Sequence, residues 1–408
     1  MTERRVAVLG GGMLGACTAL ELARRGQRVT LIEGADRILE GASRWNEGKI
    51  HLGFLYAGDR DLATAKRLIP GGLAFPGLVE RFVGRSIESF ATEDDVYVVH
   101  RNSIVDVDAF EGYATRTCDL ISDAARRDGA PRYFSSLDSA CIKRLSRNEL
   151  ADLTTSDDAI AGFRTPERSV STVPIADLLA AAVHSEPGIE VRTSTWVDGV
   201  CRRADGRMDI HSARQRASDL EGFDVVVNAL WEGRLAVDSS IGVKVPTSWS
   251  HRFRAAVFAH APANRLPSAV LCTGPFGDVK CYPDGRVYLS WYDAGLIAQG
   301  DEVEPPRDGA VLTQPRKARV RKETLASLSA YFPTVAGLSG VVTDGDVHGG
   351  WVYAIGKGSL ADPTSLLHRR DAFGITVDRG YVSVDTAKYS IAPWLALQVA
   401  EIAASSRA

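Results

Sequence analysis

At 408 residues, with 45% hydrophobic and 24% charged side chains, the chain is long enough for two or three domains and has the balance of a folded globular protein rather than a disordered one. Its formal charge of −3 is mixed in sign and forms no basic stripe, so nucleic acid is not an expected partner. Six cysteines without a Cys-x-x-Cys pair predict neither a metal site nor a disulfide framework, and fit a reducing, cytoplasmic setting.

Arg4 and Arg5 before an apolar run imitate a secretory signal, but Gly10 to Gly12 and then Glu21, Arg24 and Arg25 interrupt it, so the segment reads as mature protein. No apolar stretch is long enough to span a bilayer, and membrane insertion is not expected. Val6 to Leu9 reads as a strand, Leu14 to Arg25 as a helix and Gln27 to Ile32 as a second strand, a βαβ unit that predicts a parallel sheet. Helical patterns follow at Asp61 to Val83 and Asp106 to Arg127, with a strand at Val96 to His100 between them. Pro174 to Val183 reads as a helix opening with proline. Strands are expected at Ile189 to Arg192, Trp196 to Cys201, Met208 to His211 and Val225 to Leu230. The next region is strand-rich and aromatic, with Arg252 to His260, Ala269 to Thr273 and Val287 to Tyr292. A linker from Asp301 to Arg316 precedes a helix at Lys322 to Tyr331, and the strand Tyr381 to Val384 introduces a closing helix, Ala392 to Ala403.

Gly10, Gly12 and Gly15 have GxGxxG spacing directly after a strand and at the opening of a helix. Gly10 permits the tight turn, Gly12 lets backbone approach a pyrophosphate, and Gly15 lets helix and strand pack closely, while the helix N-terminus faces the negative charge. Glu33 ends the second strand, near the spacing of ~20 residues at which a carboxylate meets a ribose hydroxyl and repels a 2′-phosphate. Met13, Leu14 and Gly34 flank these positions and complete the nucleotide-binding candidates. The motif predicts a dinucleotide and does not separate FAD from NAD.

The segment GASRWNEGKIHLGFLY, Gly41 to Tyr56, resembles the second cofactor loop of the D-amino acid oxidase superfamily, and its Ile50 to Gly53 is similar to the L-2-hydroxyglutarate and glycerol-3-phosphate dehydrogenase branches. Leu366 to Ile375 and Tyr381 to Glu401 resemble the final stretch of glycerol-3-phosphate dehydrogenases, and Val225 to Gly233 the strand beneath the pyrophosphate. The resemblance implies FAD as cofactor and an α/β fold: a Rossmann-like FAD-binding domain with a parallel sheet, plus an α+β substrate domain built on an antiparallel sheet. The expected division gives 1–95, 160–245 and 341–408 to a discontinuous FAD-binding domain and 96–159 and 246–340 to the substrate domain.

Carried over by position, the resemblance assigns Ser43, Asn46 and Gly48 to the pyrophosphate and flavin side of the loop, Val197 to adenine, and Asn228 and Ala229 to the strand end beneath the pyrophosphate. Thr386, Ala387, Lys388 and Tyr389 would lie at the pyrimidine end of the flavin, where an ammonium and a helix N-terminus near Ser390 favour the negative charge gained with hydride. Two departures stand out. Leu230 and Trp231 replace a glycine after the strand end, and Tyr353 and Ala354 stand where relatives place an arginine and proline.

Hydride loss from an alcohol needs a base, whereas an amine needs only its neutral form. His51 is the candidate base, the alternative being a hydrogen bond to backbone or cofactor; His348 is the second candidate, the alternative being an ordinary loop histidine. Arg369 and Arg370 are candidate anchors for an anionic substrate, or surface charge at a strand start. Tyr288 and Tyr292 are expected on one face of a strand, opposite Trp291, walling a pocket or packing a core. Cys272 and Cys281 read as buried thiols. The expected activity is FAD-dependent oxidation of a CH–NH or CH–OH bond in a small polar molecule; the alternatives are an NAD-linked dehydrogenase, a flavin monooxygenase and a non-catalytic flavin-binding scaffold.

Overall fold

A run as apolar as Val6 to Leu9 is stable only with both faces covered, and in the computed structural model these four residues are almost completely buried at the centre of a parallel sheet. The structure describes residues 4–127, 129, 133–212, 220–261, 266–306 and 308–405. The strands are β1 (Arg5–Leu9), β2 (Arg28–Ile32), β3 (Val96–His100), β4 (Lys143–Arg144), β5 (Ala159–Arg164), β6 (Ile189–Arg192), β7 (Gly199–Arg202), β8 (Met208–His211) and β9 (Val225–Asn228). Then come β10 (Trp249–His260), β11 (Ala269–Cys272), β12 (Gly277–Cys281), β13 (Arg286–Trp291), β14 (Leu296–Gly300), β15 (Val347–Ile355), β16 (Gly374–Asp378) and β17 (Tyr381–Asp385).

The first sheet has the order β16-β17-β9-β1-β2-β6, parallel throughout except for the edge strand β16. Alternation along β1 sends Val6 and Val8 to the core shared with the helices Met13–Arg24, Thr172–Ser185 and Ala392–Ser405. Ala7 and Leu9 point the other way, onto the β7–β8 hairpin and Phe223. The second sheet runs β14-β10-β13-β12-β11-β3-β5-β4, with β15 also on β10, and its neighbours are antiparallel except for β3 and β11. The helix Gln314–Ser329 covers one face through Val320 and Leu328. On the opposite face Tyr97, Val99, Val270 and Cys272 join the core that Val6 and Val8 of the first sheet share with its helices. Among the described residues no helix is long and apolar enough to cross a membrane.

The chain is therefore α/β, with a parallel and an antiparallel layer. Several expectations are corrected. β5 and β15 belong to the second sheet, so boundaries at 159/160 and 340/341 cut through it. β15 is not among the strands expected from the sequence; its glycines are needed for packing, since a side chain at Gly349 would strike Phe253 and Arg254, and one at Gly350 would strike Ala42. The expected linker after Asp301 gives way to helix at Gln314, where Pro315 suits the first turn; position 307 lies outside the described residues. Trp196 and Val197 precede the strand that begins at Gly199, and Ala229 and Leu230 lie beyond the end of β9.

Candidate active site

The turn from β1 into the helix Met13–Arg24 is as tight as the glycines allow. Gly10 has φ of +93°, and a Cβ there would lie 2.7 Å from the Ala229 carbonyl oxygen; one on Gly15 would lie 1.8 Å from the carbonyl oxygen of Gly10. Gly12 is the N-cap and supplies no side chain, but the Ser43 hydroxyl accepts a 2.8 Å hydrogen bond from the Met13 amide. Glu33 accepts 2.8 Å bonds from the amides of Gly11 and Ala35, which fixes its carboxylate at the end of β2.

These groups line a cavity of about 300 Å³. Gly10, Gly12, Met13, Leu14, Glu33, Gly34, Ser43, Asn46, Val197 and Ala229 lie along it with His51, Thr386, Ala387, Lys388 and Tyr389. Helix N-terminus, ribose-type carboxylate and side-chain-free turn are thus joined to a lysine-bearing loop, a donor set that fits an extended dinucleotide such as FAD. Trp231 holds φ of +56°, the region that favours glycine, and its indole N–H donates to the Trp351 carbonyl at 2.8 Å. The glycine-like backbone is therefore kept without glycine, at a strain of about 1–2 kcal/mol. Glu232 also lines the cavity, and burial, reinforced by Glu33, pushes its carboxyl up to about 7.

Three expected cofactor positions do not line the cavity. Gly15 packs helix on strand, and Gly48, at φ of +61°, presses so closely on the Val170 carbonyl that a Cβ would sit 1.8 Å away. Asn228 is fully buried and spends its amide on Arg234, Asp238 and Tyr381.

His51 is 1% exposed and lines the cavity. The helix Ala63–Val83 passes behind it, with Gly72 so near that a Cβ would be 2.6 Å from the His51 carbonyl oxygen. Its Nδ1 has no hydrogen-bond partner among the described residues, and its Nε2 is 3.8 Å from Glu47 Oε1. Burial, then Lys388, Lys49, Lys280 and Arg370, hold the imidazole well below its ordinary value. It is therefore neutral and a weak proton acceptor. His348 is stacked on Trp45 at 3.7 Å, away from the cavity lining.

Beside His51 lies an ionic cluster unread in the sequence. Asp95 Oδ2 is 2.6 Å from the Lys280 ammonium and 3.3 Å from that of Lys49, and all three residues are at most 2% exposed. Burial raises the Asp95 carboxyl, but Lys280 and then Lys49 outweigh it and hold the group below 3.8. Burial pulls Lys280 down to about 8 against the pull of Asp95. Glu167, fully buried, accepts from the Leu52 amide at 2.5 Å and from the Tyr97 hydroxyl. The Tyr282 hydroxyl donates to the Glu47 carbonyl at 2.8 Å, tying the second sheet to the cofactor loop.

Arg369 and Arg370 line a smaller cavity of about 110 Å³ that shares Ala387 with the first. Arg369 is half-exposed and paired with Asp371 at 2.9 Å, a surface ion pair, whereas Arg370 is buried. Tyr288 packs against Phe258 at 5.2 Å rather than lining either cavity. Tyr292 does not share its strand face, because β13 ends at Trp291 and Tyr292 starts a short helical turn. It meets Arg252 and Arg254 of β10 instead. The weak signal for these basic residues was alternation: Arg252 and Arg254, like Asp278 and Lys280, occupy every second strand position, which reads equally well as a solvated face.

Residues 5–381 match the family model DAO, described as FAD dependent oxidoreductase. Among solved structures, glycine oxidase from Geobacillus kaustophilus is similar at a TM-score of 0.67 and 15% identity, covering 99% of this chain and 96% of that one. L-alpha-glycerophosphate oxidase from Mycoplasma pneumoniae is similar at 0.65 and 16%, with coverages of 99% and 95%. L-proline dehydrogenase from P. horikoshii follows at 0.65 and 16%, with coverages of 100% and 94%. No curated protein sequence matches the chain.

Proposed function

Because the chain belongs to the DAO family of FAD-dependent oxidoreductases, we propose that its larger cavity holds FAD with the adenosine side at Glu33 and Gly34 and the flavin side at His51 and Lys388. The chain is an FAD-dependent oxidase or dehydrogenase. When bound, the flavin supplies the acceptor for hydride leaving a CH–NH or CH–OH carbon. The Gly12–Met13 backbone and Ser43 hold the pyrophosphate, and Lys388 favours negative charge at the flavin. Lys388→Met is expected to leave FAD bound but lower its midpoint potential, measured by equilibration with a reference dye; an unchanged potential would place the ammonium away from the flavin.

The substrate is a small anionic molecule oxidised at CH–NH, with Arg370 holding an anionic group. The observation that carries this reading is the buried His51, whose imidazole is held neutral by burial and by the charges of Lys388, Lys49, Lys280 and Arg370. Such a site disfavours an ammonium and so presents an amine in the form whose lone pair drives hydride departure. His51 then orients the substrate through its free Nδ1 rather than storing a proton. The 3.8 Å approach of Glu47 to His51 favours a second reading, CH–OH oxidation with the proton passed toward Glu47. A scaffold that merely bound FAD would have no use for these buried cations. The six free thiols support a cytoplasmic setting.

The test is anaerobic stopped-flow reduction of the yellow protein across pH with a panel of amino and hydroxy acids. For an amine, His51→Asn should slow reduction less than ~10-fold, with partial recovery at high pH; a loss of ~10²–10⁴ at every pH would establish the CH–OH reading instead. Protein that binds no FAD would sink both.

A further inference from the structure

Arg252 and Arg254 stand two residues apart on β10 and so project from one face of the second sheet. Arg370, in the segment after Leu366–His368, lies near enough to Arg252 and Tyr292 for their charges to act on it. Arg252 and Arg370 are only 5% and 9% exposed. Among the described residues, the side-chain hydrogen-bond and ring partners of the three guanidiniums are neutral. Arg252 Nη1 donates to the Tyr292 hydroxyl at 3.1 Å, Arg254 lies 3.9 Å over the Tyr292 ring, and Arg370 Nη1 donates to the Arg369 carbonyl at 3.1 Å. The Nε atoms of all three are buried without a hydrogen-bond partner.

Arg234 shows what a compensated arginine looks like in this fold, being 3.0 Å from Asp238 and 3.5 Å from Asp385. Asp385 also faces Arg370, but its charge is shared with Arg234. Burial, and then the charge of Arg252, bring Arg370 down to about 10, a sign that the guanidiniums repel one another. The Tyr56 hydroxyl is buried and unpartnered beside them, and the Lys388 ammonium lies 5.6 Å from the Tyr56 ring, which places the group next to the flavin side of the cavity.

Buried charges persist when a partner matches them, and guanidinium forks match carboxylate and phosphate oxygens in pairs. A single carboxylate leaves most of this charge unmatched. We infer that the site takes a substrate with two anionic charges, a dicarboxylate or a phosphate monoester, held at one point by Arg370 and Tyr56 and at another by Arg252 and Arg254 around Tyr292. The inference rests on the FAD-dependent reading for the position of the reacting carbon, not for the anion subsite.

Calorimetric titration of the yellow holoenzyme at constant ionic strength tests it, with succinate, propyl phosphate and butyrate as probes. At least one dianion should bind ~10–100-fold more tightly than butyrate, the factor that charge-assisted hydrogen bonds supply. Which dianion binds more tightly distinguishes a dicarboxylate from a phosphate monoester. Arg252→Met should remove most of that preference, and Arg252→Lys should restore part of it; Arg254→Met gives an independent second variant. Butyrate binding as tightly as both dianions, in protein with full FAD content, overturns the inference and leaves the oxidoreductase reading intact. Colourless protein would instead count against that reading.

Discussion

Gly12→Val is expected to purify colourless, with FAD content reduced more than ~10-fold, while the far-ultraviolet circular dichroism of the folded protein is retained. A Cβ at Gly12 would lie 2.9 Å from Ser43 Oγ, the atom that accepts the Met13 amide hydrogen bond. The added side chain therefore displaces Ser43 and fills the space through which a pyrophosphate approaches the helix N-terminus. The backbone itself tolerates the change, because Gly12 has φ of −74° in extended conformation. Loss of cofactor without loss of fold is thus the expected combination. A yellow Gly12→Val protein with stoichiometric FAD would remove the pyrophosphate from this turn.

Asp95→Asn has the largest expected effect on stability, a loss of about 3–5 kcal/mol, because it leaves two buried ammoniums facing a neutral amide. Chemical denaturation of variant and wild-type holoprotein measures it. The Asp95 carboxyl is held below 3.8 in the folded protein, so its contribution is complete above the unfolded value and is lost as pH falls through the depressed folded one. The wild type should accordingly lose this part of its stability only under acid conditions, below about pH 4, whereas the variant lacks it at neutral pH. Equal stability of the two at pH 7 would mean that the ammoniums lose their charge instead. Lys280, already drawn down to about 8, is the first to do so.

The parallel sheet and the nucleotide turn were legible because their signals are local. Val6 to Leu9, the glycines at 10, 12 and 15, and Glu33 lie within one βαβ unit, and each position answers to one mechanical need. The loop at Thr386 to Tyr389 was reached by resemblance, and it does line the same cavity as the turn. The substrate side was illegible for a different reason. Lys280, Arg252 and Arg254 are charged residues on strands and Asp95 directly precedes one, and one sequence cannot show whether the far face of a sheet meets water or another layer. Arg369 and Arg370 illustrate the point most sharply, since neighbours in sequence end as a surface ion pair and a buried cation.

The order of strands in the first sheet has a consequence for how the polypeptide is made. β1 and β2 emerge from the ribosome early, yet β9, the other neighbour of β1, follows much later, and β17 comes about 350 residues after β2. At ~5–20 residues per second, that interval is roughly 20–70 s. Throughout it the nascent sheet awaits a partner strand, at β1 until β9 arrives and then at β9 until β17, and the nucleotide turn lacks the wall formed by Thr386 to Lys388. FAD capture therefore belongs to the end of synthesis, and the half-made sheet is the stage at which chaperones have an edge to protect.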